Sequence, residues 1–201
     1  MFIRISAALA AGLLICACDR GVPSVTTAPT AMDSTGSAAT SLAATTNHQS
    51  GVGRTEVLVN MQDNCDPQTF NAALGAGTCA GPGGLQLDNF LAMLRRLGFV
   101  GPWHFSPSQA NVVVGQKFVA INKGGEEHTF TEVEEFGGGV IPLLNQLSGN
   151  PIETRECAAL EEEDRVAPGG RYEEEITEAG TMKVQCCIHP WMRLEARVSP
   201  R

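Results

Sequence analysis

The chain has 201 residues and a formal net charge of −8, and 43% of its residues are hydrophobic. This composition is ordinary for a globular protein and excludes a chain that is disordered throughout. The acidic excess argues against binding to phosphate backbones, so we expect no nucleic acid among its partners. No apolar run reaches the roughly 18 residues of a membrane-spanning helix. The seven cysteines, an odd number, predict at least one thiol outside any disulfide.

Residues 1–18 have the layout of an export signal. Arg4 gives a positive start, and residues 5–17 form an apolar stretch that is typical of a signal peptide. Residues 15–18, Ile-Cys-Ala-Cys, resemble the lipobox of bacterial lipoproteins. This resemblance implies that Cys18 is lipidated and holds the protein on the periplasmic or outer-surface side of a bacterial membrane. Ordinary signal cleavage, with both cysteines incidental, is the alternative.

Residues 19–53 are rich in Thr, Ser, Ala and Gly, with one leucine and no aromatic residue. Such a segment cannot bury enough apolar surface to fold on its own. It therefore predicts a disordered, flexible tether between the anchor and a folded part that begins at residue 54.

Residues 54–100 are predicted to form a partly helical N-terminal extension. One helix is expected between Asp66, as the N-cap, and Gly75, as the stop. A second is expected between Asp88, as the cap, and Gly98, because Leu and Phe recur there at helical spacing. We expect this extension to pack on one side or end of the remaining chain.

The rest of the folded part is predicted to be mainly β. Short apolar or alternating runs are separated by Gly and Pro, a pattern typical of a β-sandwich. Strands are predicted at 56–60, 103–105, 111–114, 117–121, 128–133, 171–176, 181–185 and 193–198. Because most of them follow residue 100, residues 101–201 are the predicted sandwich domain. One helical turn is expected at 142–150.

The residues that carry chemistry lie between the last two predicted strands. Cys186, His189 and Met192 form the pattern C-x-x-H-x-x-M, and His128 follows an earlier strand and a glycine-containing loop. Together these features resemble the cupredoxins, the blue (type 1) copper proteins, with the short loop of amicyanin-like and plastocyanin-like members. The resemblance spans about residues 103–201 and implies a Greek-key cupredoxin β-sandwich.

The resemblance also implies a ligand set and a function. His128, Cys186 and His189 would be the strong copper ligands and Met192 the weak axial one. A thiolate, two neutral imidazoles and a distant thioether suit both Cu(I) and Cu(II). The implied protein is a one-electron carrier rather than an enzyme, with copper as its cofactor and a redox protein as its partner. Copper delivery or storage is the alternative, and the few methionines of the folded part argue against it.

Strand alternation indicates which of the two adjacent cysteines is the ligand. Met182, Val184 and Cys186 fall on one apolar face, which is expected to point inward, and Cys187 falls on the other. A zinc site formed by both cysteines, His128 and His189 is the alternative. It is disfavoured because adjacent cysteines rarely both reach one tetrahedral ion.

Two further features bear on this resemblance. Thr129 follows the first histidine ligand of the implied set. Many relatives have an asparagine at this position, which braces the cysteine loop. The threonine hydroxyl can also form a hydrogen bond, but its side chain reaches less far than that of asparagine. With Cys16 in the predicted signal peptide, Cys18 lipidated and Cys186 on copper, four of the seven cysteines remain, and they allow three pairings. The local choice is Cys65 with Cys79, which leaves Cys157 with Cys187. Free buried thiols are disfavoured in an oxidising compartment.

Residues 126–178 hold 15 acidic residues against three arginines. The runs Glu161–Asp164 and Glu173–Glu175 are the densest acidic stretches of this segment. They predict either a solvated face or a docking surface for a basic redox partner such as a cytochrome.

Overall fold

A computed structural model describes residues 55–201 of the chain. The predicted signal peptide, Cys18 and the tether lie outside the described residues. Within 55–201, no helix has the length and apolar character needed to cross a membrane.

The described residues form ten strands, four short α-helices and one 3-10 turn. In chain order these are β1 (Glu56–Gln62), α1 (Pro67–Leu74), α2 (Leu87–Leu97), β2 (His104–Ser106), β3 (Gln109–Val113), β4 (Lys117–Asn122), β5 (His128–Thr129), β6 (Thr131–Val133), α3 (Pro142–Leu147), α4 (Arg155–Ala158), the 3-10 turn Glu162–Asp164, β7 (Arg165–Val166), β8 (Arg171–Glu175), β9 (Gly180–Gln185) and β10 (Arg193–Ser199).

The strands form two four-stranded mixed sheets and one short two-stranded sheet. The first sheet has the order β2-β1-β4-β8, the second has the order β3-β10-β9-β6, and β5 pairs with β7. β1 is parallel to β4, and β3 is parallel to β10. The fold is therefore mainly β, as the sequence predicts.

The position of β1 differs from the expectation. The sequence assigned all of residues 54–100 to an extension outside the sandwich, but β1 lies between β2 and β4 in the first sheet. Its pairing with β4 joins Glu56 to Lys117 and Met61 to Asn122. The two helices thus belong to the connection between the first two strands. We call this connection, residues 63–103, the helical segment.

Local capping defines the helices. Asp66 is the N-cap of α1 and accepts a hydrogen bond from the Thr69 N–H at 3.0 Å. α2 starts earlier than expected: its N-cap is Gln86, and Asp88 lies in the first turn. The Gln86 side chain makes no capping hydrogen bond, but the Thr69 hydroxyl accepts a hydrogen bond from the Leu87 N–H. α2 ends at Gly98, whose left-handed φ of 76° favours glycine.

The core lies between the two large sheets. Phe130 is buried there, with its ring centroid 5.5 Å from that of Phe105 and 5.8 Å from that of Phe118.

Phe130 also divides the single strand predicted at 128–133. β5 before it pairs with β7, whereas β6 after it pairs with β9. At Phe130 the chain therefore passes from the small β5–β7 sheet to the second large sheet, and His128 and Thr129 lie just before this change.

Candidate metal centre

The cysteine loop, residues 186–192, joins β9 to β10. Two backbone hydrogen bonds close it: the Cys186 N–H donates to the Met192 carbonyl at 3.0 Å, and the Met192 N–H donates to the His189 carbonyl at 2.9 Å. A loop closed in this way holds the side chains of Cys186, His189 and Met192 at one end of the sandwich. His128 approaches the same end from β5.

His128, Cys186 and His189 converge on one point. The Cys186 Sγ lies 3.8 Å from the His128 Nδ1 and 3.9 Å from the His189 Nδ1. These three atoms lie within 4.8 Å of one another, and all three residues are buried. They form a group that could hold a metal ion. Met192 is also fully buried, and its role as the axial ligand stays a prediction.

The environment of Cys186 favours the thiolate. Its Sγ accepts hydrogen bonds from the backbone N–H groups of Thr129 and His189, both at 3.4 Å. Burial alone would raise the pKa of Cys186, but hydrogen bonding to His128 and His189 outweighs burial and brings the pKa well below its usual value. A deprotonated sulfur is the form that binds metal ions.

Thr129 braces the cysteine loop despite its short side chain. Its Oγ1 accepts a hydrogen bond from the Cys187 N–H at 2.8 Å. Both residues are fully buried, so water does not compete for this bond. The threonine therefore makes a direct link between β5 and the loop.

The two histidines have carboxylates on their outer nitrogens. The His128 Nε2 lies 2.9 Å from the Asp63 Oδ2, and the His189 Nε2 lies 3.5 Å from the Glu126 Oε2. The Glu126 Oε2 also accepts a hydrogen bond from the Trp103 Nε1 at 2.6 Å. Neither carboxylate was predicted from the sequence. No spacing rule would have singled out Asp63, which lies 65 residues from His128 in the chain.

These carboxylates have opposite pKa shifts. Burial would raise the pKa of Asp63, but hydrogen bonds from His128 and from the backbone of Glu126 and Gly125 lower it to about 2. Burial would lower the pKa of His128, but its bonds to Asp63 and Cys186 raise it to about 9. Burial dominates at Glu126, whose pKa is raised.

The other cysteines of the described residues form two disulfides. Cys65 bonds to Cys79, and Cys157 bonds to Cys187, the pairs that the sequence analysis favoured. Cys186 is the free cysteine in residues 55–201. Because Cys187 is in a disulfide, the zinc site that uses both adjacent cysteines does not form in this structure.

A cavity of about 710 Å³ borders His189. Phe90 and Leu91 of α2 and Leu144 of α3 supply apolar walls, and Arg165 supplies a charge. Trp191 packs between His189 and Phe90, and its ring centroid lies 5.5 Å from that of His189 and 5.9 Å from that of Phe90. The helical segment therefore covers the His189 side of the site, and His189 is only 3% exposed.

No protein-family model and no curated protein sequence matches this chain. Solved structures with a similar fold include a novel purple cupredoxin from Nitrosopumilus maritimus, at 15% identity and a TM-score of 0.40, which covers 71% of this chain and 99% of that one. An oxidised plastocyanin from Dryopteris crassirhizoma, at 14% identity and a TM-score of 0.37, covers 71% and 100%. A Cu(I) amicyanin mutant, at 22% identity and a TM-score of 0.31, covers 46% and 70%.

The described residues form a mainly β fold with two four-stranded mixed sheets. At identities below 25% and TM-scores below 0.5, these similarities carry no information about its function. We therefore base the function on the residues of the site.

Proposed function

We propose that this chain is an exported type 1 copper protein that acts as a one-electron carrier. The observation that carries the proposal is the convergence of the His128 and His189 Nδ1 atoms on the buried Cys186 Sγ. Two imidazole nitrogens and one thiolate are the donor set of blue copper sites, in which a methionine is the usual weak fourth ligand. Met192, buried in the same loop, supplies that thioether in our proposal.

The donor chemistry fits copper in both oxidation states. A bound copper ion would supply the reversible one-electron couple, because soft sulfur favours Cu(I) and imidazole tolerates Cu(II). The protein's own contribution is to hold these donors in fixed places. The closed cysteine loop, the Thr129 bond and the Cys157–Cys187 disulfide all restrain the ligands. Ligands that move little on a change of oxidation state keep the reorganisation cost low.

Burial favours a carrier over a delivery or storage protein. His128 and Cys186 are fully buried and His189 is 3% exposed, so a copper ion could not be handed over without opening the site. An electron needs no such opening, since it can leave through the His189 ring toward the bordering cavity. We therefore propose a carrier role rather than an enzymatic one.

Export and anchoring complete the proposal. Disulfides persist in oxidising compartments, and the two disulfides of the described residues support a location outside the cytoplasm. The lipobox-like sequence supports lipidation at Cys18. Cell fractionation of Cys18→Ser tests the anchor: release into the soluble fraction is expected, whereas continued membrane association would contradict it.

The carrier role is tested by voltammetry of the copper-loaded protein. We expect a reversible one-electron wave and fast exchange with a small redox protein. Copper that is lost on each reduction would instead indicate delivery or storage.

A further inference from the structure

Asp63 joins the helical segment to the metal site. It directly follows β1, and its side chain is fully shielded from solvent. Its Oδ2 accepts hydrogen bonds from the His128 Nε2 and from the Glu126 N–H, both at 2.9 Å. Its Oδ1 accepts from the N–H groups of Gly125 at 2.9 Å and Cys65 at 3.2 Å. A buried carboxylate is costly unless its oxygens are bonded, and both oxygens here are bonded twice.

The loop that faces Asp63 is shaped to admit the carboxylate. A Cβ atom at Gly124 would overlap the Asp63 Oδ2, and a Cβ atom at Gly125 would lie 2.8 Å from the Cys65 Sγ. Real Cβ contacts are longer than this, so both positions need glycine. The Cys65–Cys79 disulfide fixes the chain two residues after Asp63. The carboxylate therefore lies between the glycine loop and the disulfide-linked Cys65.

The Asp63 bond determines which nitrogen of His128 faces the metal position. An ionised carboxylate only accepts hydrogen bonds, so the shared proton belongs to the His128 Nε2. In the neutral ring, the form that binds a metal ion, the Nδ1 then carries the lone pair, and it is this atom that faces the Cys186 Sγ at 3.8 Å. A carboxylate on the outer nitrogen of a ligand histidine fixes the ring and increases its basicity.

Glu126 provides a contrast at the second histidine. Its oxygen lies 3.5 Å from the His189 Nε2, beyond the usual length of a hydrogen bond, and is held by Trp103 at 2.6 Å. Asp63 instead makes a 2.9 Å bond to its histidine. Of the two carboxylates, Asp63 is therefore the one that hydrogen-bonds directly to a proposed ligand, His128.

We propose that Asp63 is a positioning residue of the metal centre: it holds His128 with its Nδ1 free for the ion, and its buried negative charge favours Cu(II) over Cu(I). This inference rests on the proposed copper function. It also gives the helical segment a role, because the disulfide at the start of that segment anchors the backbone next to Asp63. The charge effect follows from Coulomb's law, since an anion attracts the doubly charged ion more strongly than the singly charged one.

The test compares Asp63→Ala and Asp63→Asn with the intact protein. The asparagine variant keeps the volume and one acceptor but removes the charge, and it serves if the alanine variant does not fold. Dissociation constants are measured for Cu(I) and Cu(II) by competition with chelators. We expect Cu(II) binding to weaken about 10- to 100-fold in Asp63→Ala, Cu(I) binding to weaken less, and the reduction potential to rise.

A second measurement does not depend on copper. Nitrogen-15 NMR of the metal-free protein at about pH 10, where free imidazoles are neutral, reports which nitrogen of each histidine carries the proton. In the intact protein we expect the proton of His128 on its Nε2. Asp63→Ala should allow both tautomers.

Asp66→Ala is the matched control. It removes the N-cap bond to Thr69 and loosens α1 without removing a bond to His128. A purely structural role of the segment would lower the melting temperature in this control and in the Asp63 variants alike. The control should leave the Cu(II) to Cu(I) affinity ratio and the His128 tautomer unchanged.

The outcomes separate the two proposals. An unchanged affinity ratio and an unchanged tautomer in folded Asp63 variants would overturn the role of Asp63 and leave it as a loop-holding residue. If the intact protein binds no copper, the proposed function fails. In that case the tautomer measurement still decides whether Asp63 fixes His128.

Discussion

Thr129 and Cys187 are joined by a 2.8 Å hydrogen bond, in which the backbone N–H of Cys187 donates to the threonine hydroxyl. This bond ties β5, which carries His128, to the loop that carries Cys186, His189 and Met192. A residue with a short side chain thus makes the brace for which the family resemblance implies an asparagine.

Thr129→Val removes the acceptor and leaves the buried Cys187 N–H unpaired. We expect a loss of about 1–3 kcal/mol in the free energy of unfolding, measured with denaturant on the metal-free protein. Thr131→Val is the matched control, because the Thr131 hydroxyl donates to the Thr129 hydroxyl from a partly exposed position. Equal losses in the two variants would show that the Cys187 bond has no special role.

The two disulfides are expected to stabilise the protein to similar extents. They close loops with sequence separations of 14 and 30 residues. Replacing each pair by serines should cost about 2–4 kcal/mol, with the larger loss for Cys157 and Cys187 because their loop is longer. Peptide mapping under non-reducing conditions checks the pairs directly. A disulfide that contains Cys186 in the copper-loaded protein would contradict the account.

Asp63 predicts a defined response of the metal-free protein to acid. Its pKa is lowered from 3.8 to about 2 by the bonds it accepts. The unfolded chain therefore binds the proton more readily, and the stabilisation is present above about pH 4 and is lost as the pH falls toward 2. The contribution is about 2 kcal/mol.

The measurement for this prediction is the difference in unfolding free energy between the intact protein and Asp63→Asn. We expect the difference to shrink as the pH falls from about 4 to about 2. Glu127→Gln is the control, because that carboxylate is 41% exposed and pairs with Arg165. A difference for Asp63→Asn that does not change over this range would contradict the prediction.

The acidic turn before β7 is the candidate docking surface for a basic partner. Glu162 lies 3.8 Å from Arg165, which lines the cavity beside His189. Replacing Glu162 and Glu163 by glutamine should slow association and flatten its salt dependence, since the Debye length falls from about 10 Å at 0.1 M salt to about 3 Å at 1 M. Stopped-flow kinetics against a basic cytochrome measures both.

Glu174 and Glu175 provide the comparison, because they carry the same charge on β8, the edge strand of the first sheet. Replacing them should change the association rate less. Equal effects of the two pairs would mean that the partner responds to net charge alone, and no effect of either would mean that both runs are solvated faces.

Local rules predicted much of this fold, and long-range contacts account for what they missed. Asp66 and Gly75 bound a helix because capping is decided within one turn. The alternation of Val184 and Cys186 predicted that both are buried, because side-chain direction follows from the strand itself. The place of β1 within the first sheet depends on its pairing with β4, about 60 residues along the chain, and no local pattern encodes such a partner.

The candidate site shows the same division. The spacing within the cysteine loop is local, and it predicted which residues lie together with His128. The carboxylates behind the histidines come from the helical segment and from the loop before β5, and their roles depend on how those segments pack. A single aspartate among 22 acidic residues carries no signal in the sequence.

The central claim, that Cys186 is the copper thiolate, is tested most directly by the visible absorption spectrum of the oxidised, copper-loaded protein. The intact protein should show an intense thiolate-to-copper charge-transfer band. Cys186→Ser should abolish the band, whereas the double variant Cys157→Ser/Cys187→Ser should keep it. Loss of the band in the double variant with retention in Cys186→Ser would contradict the account.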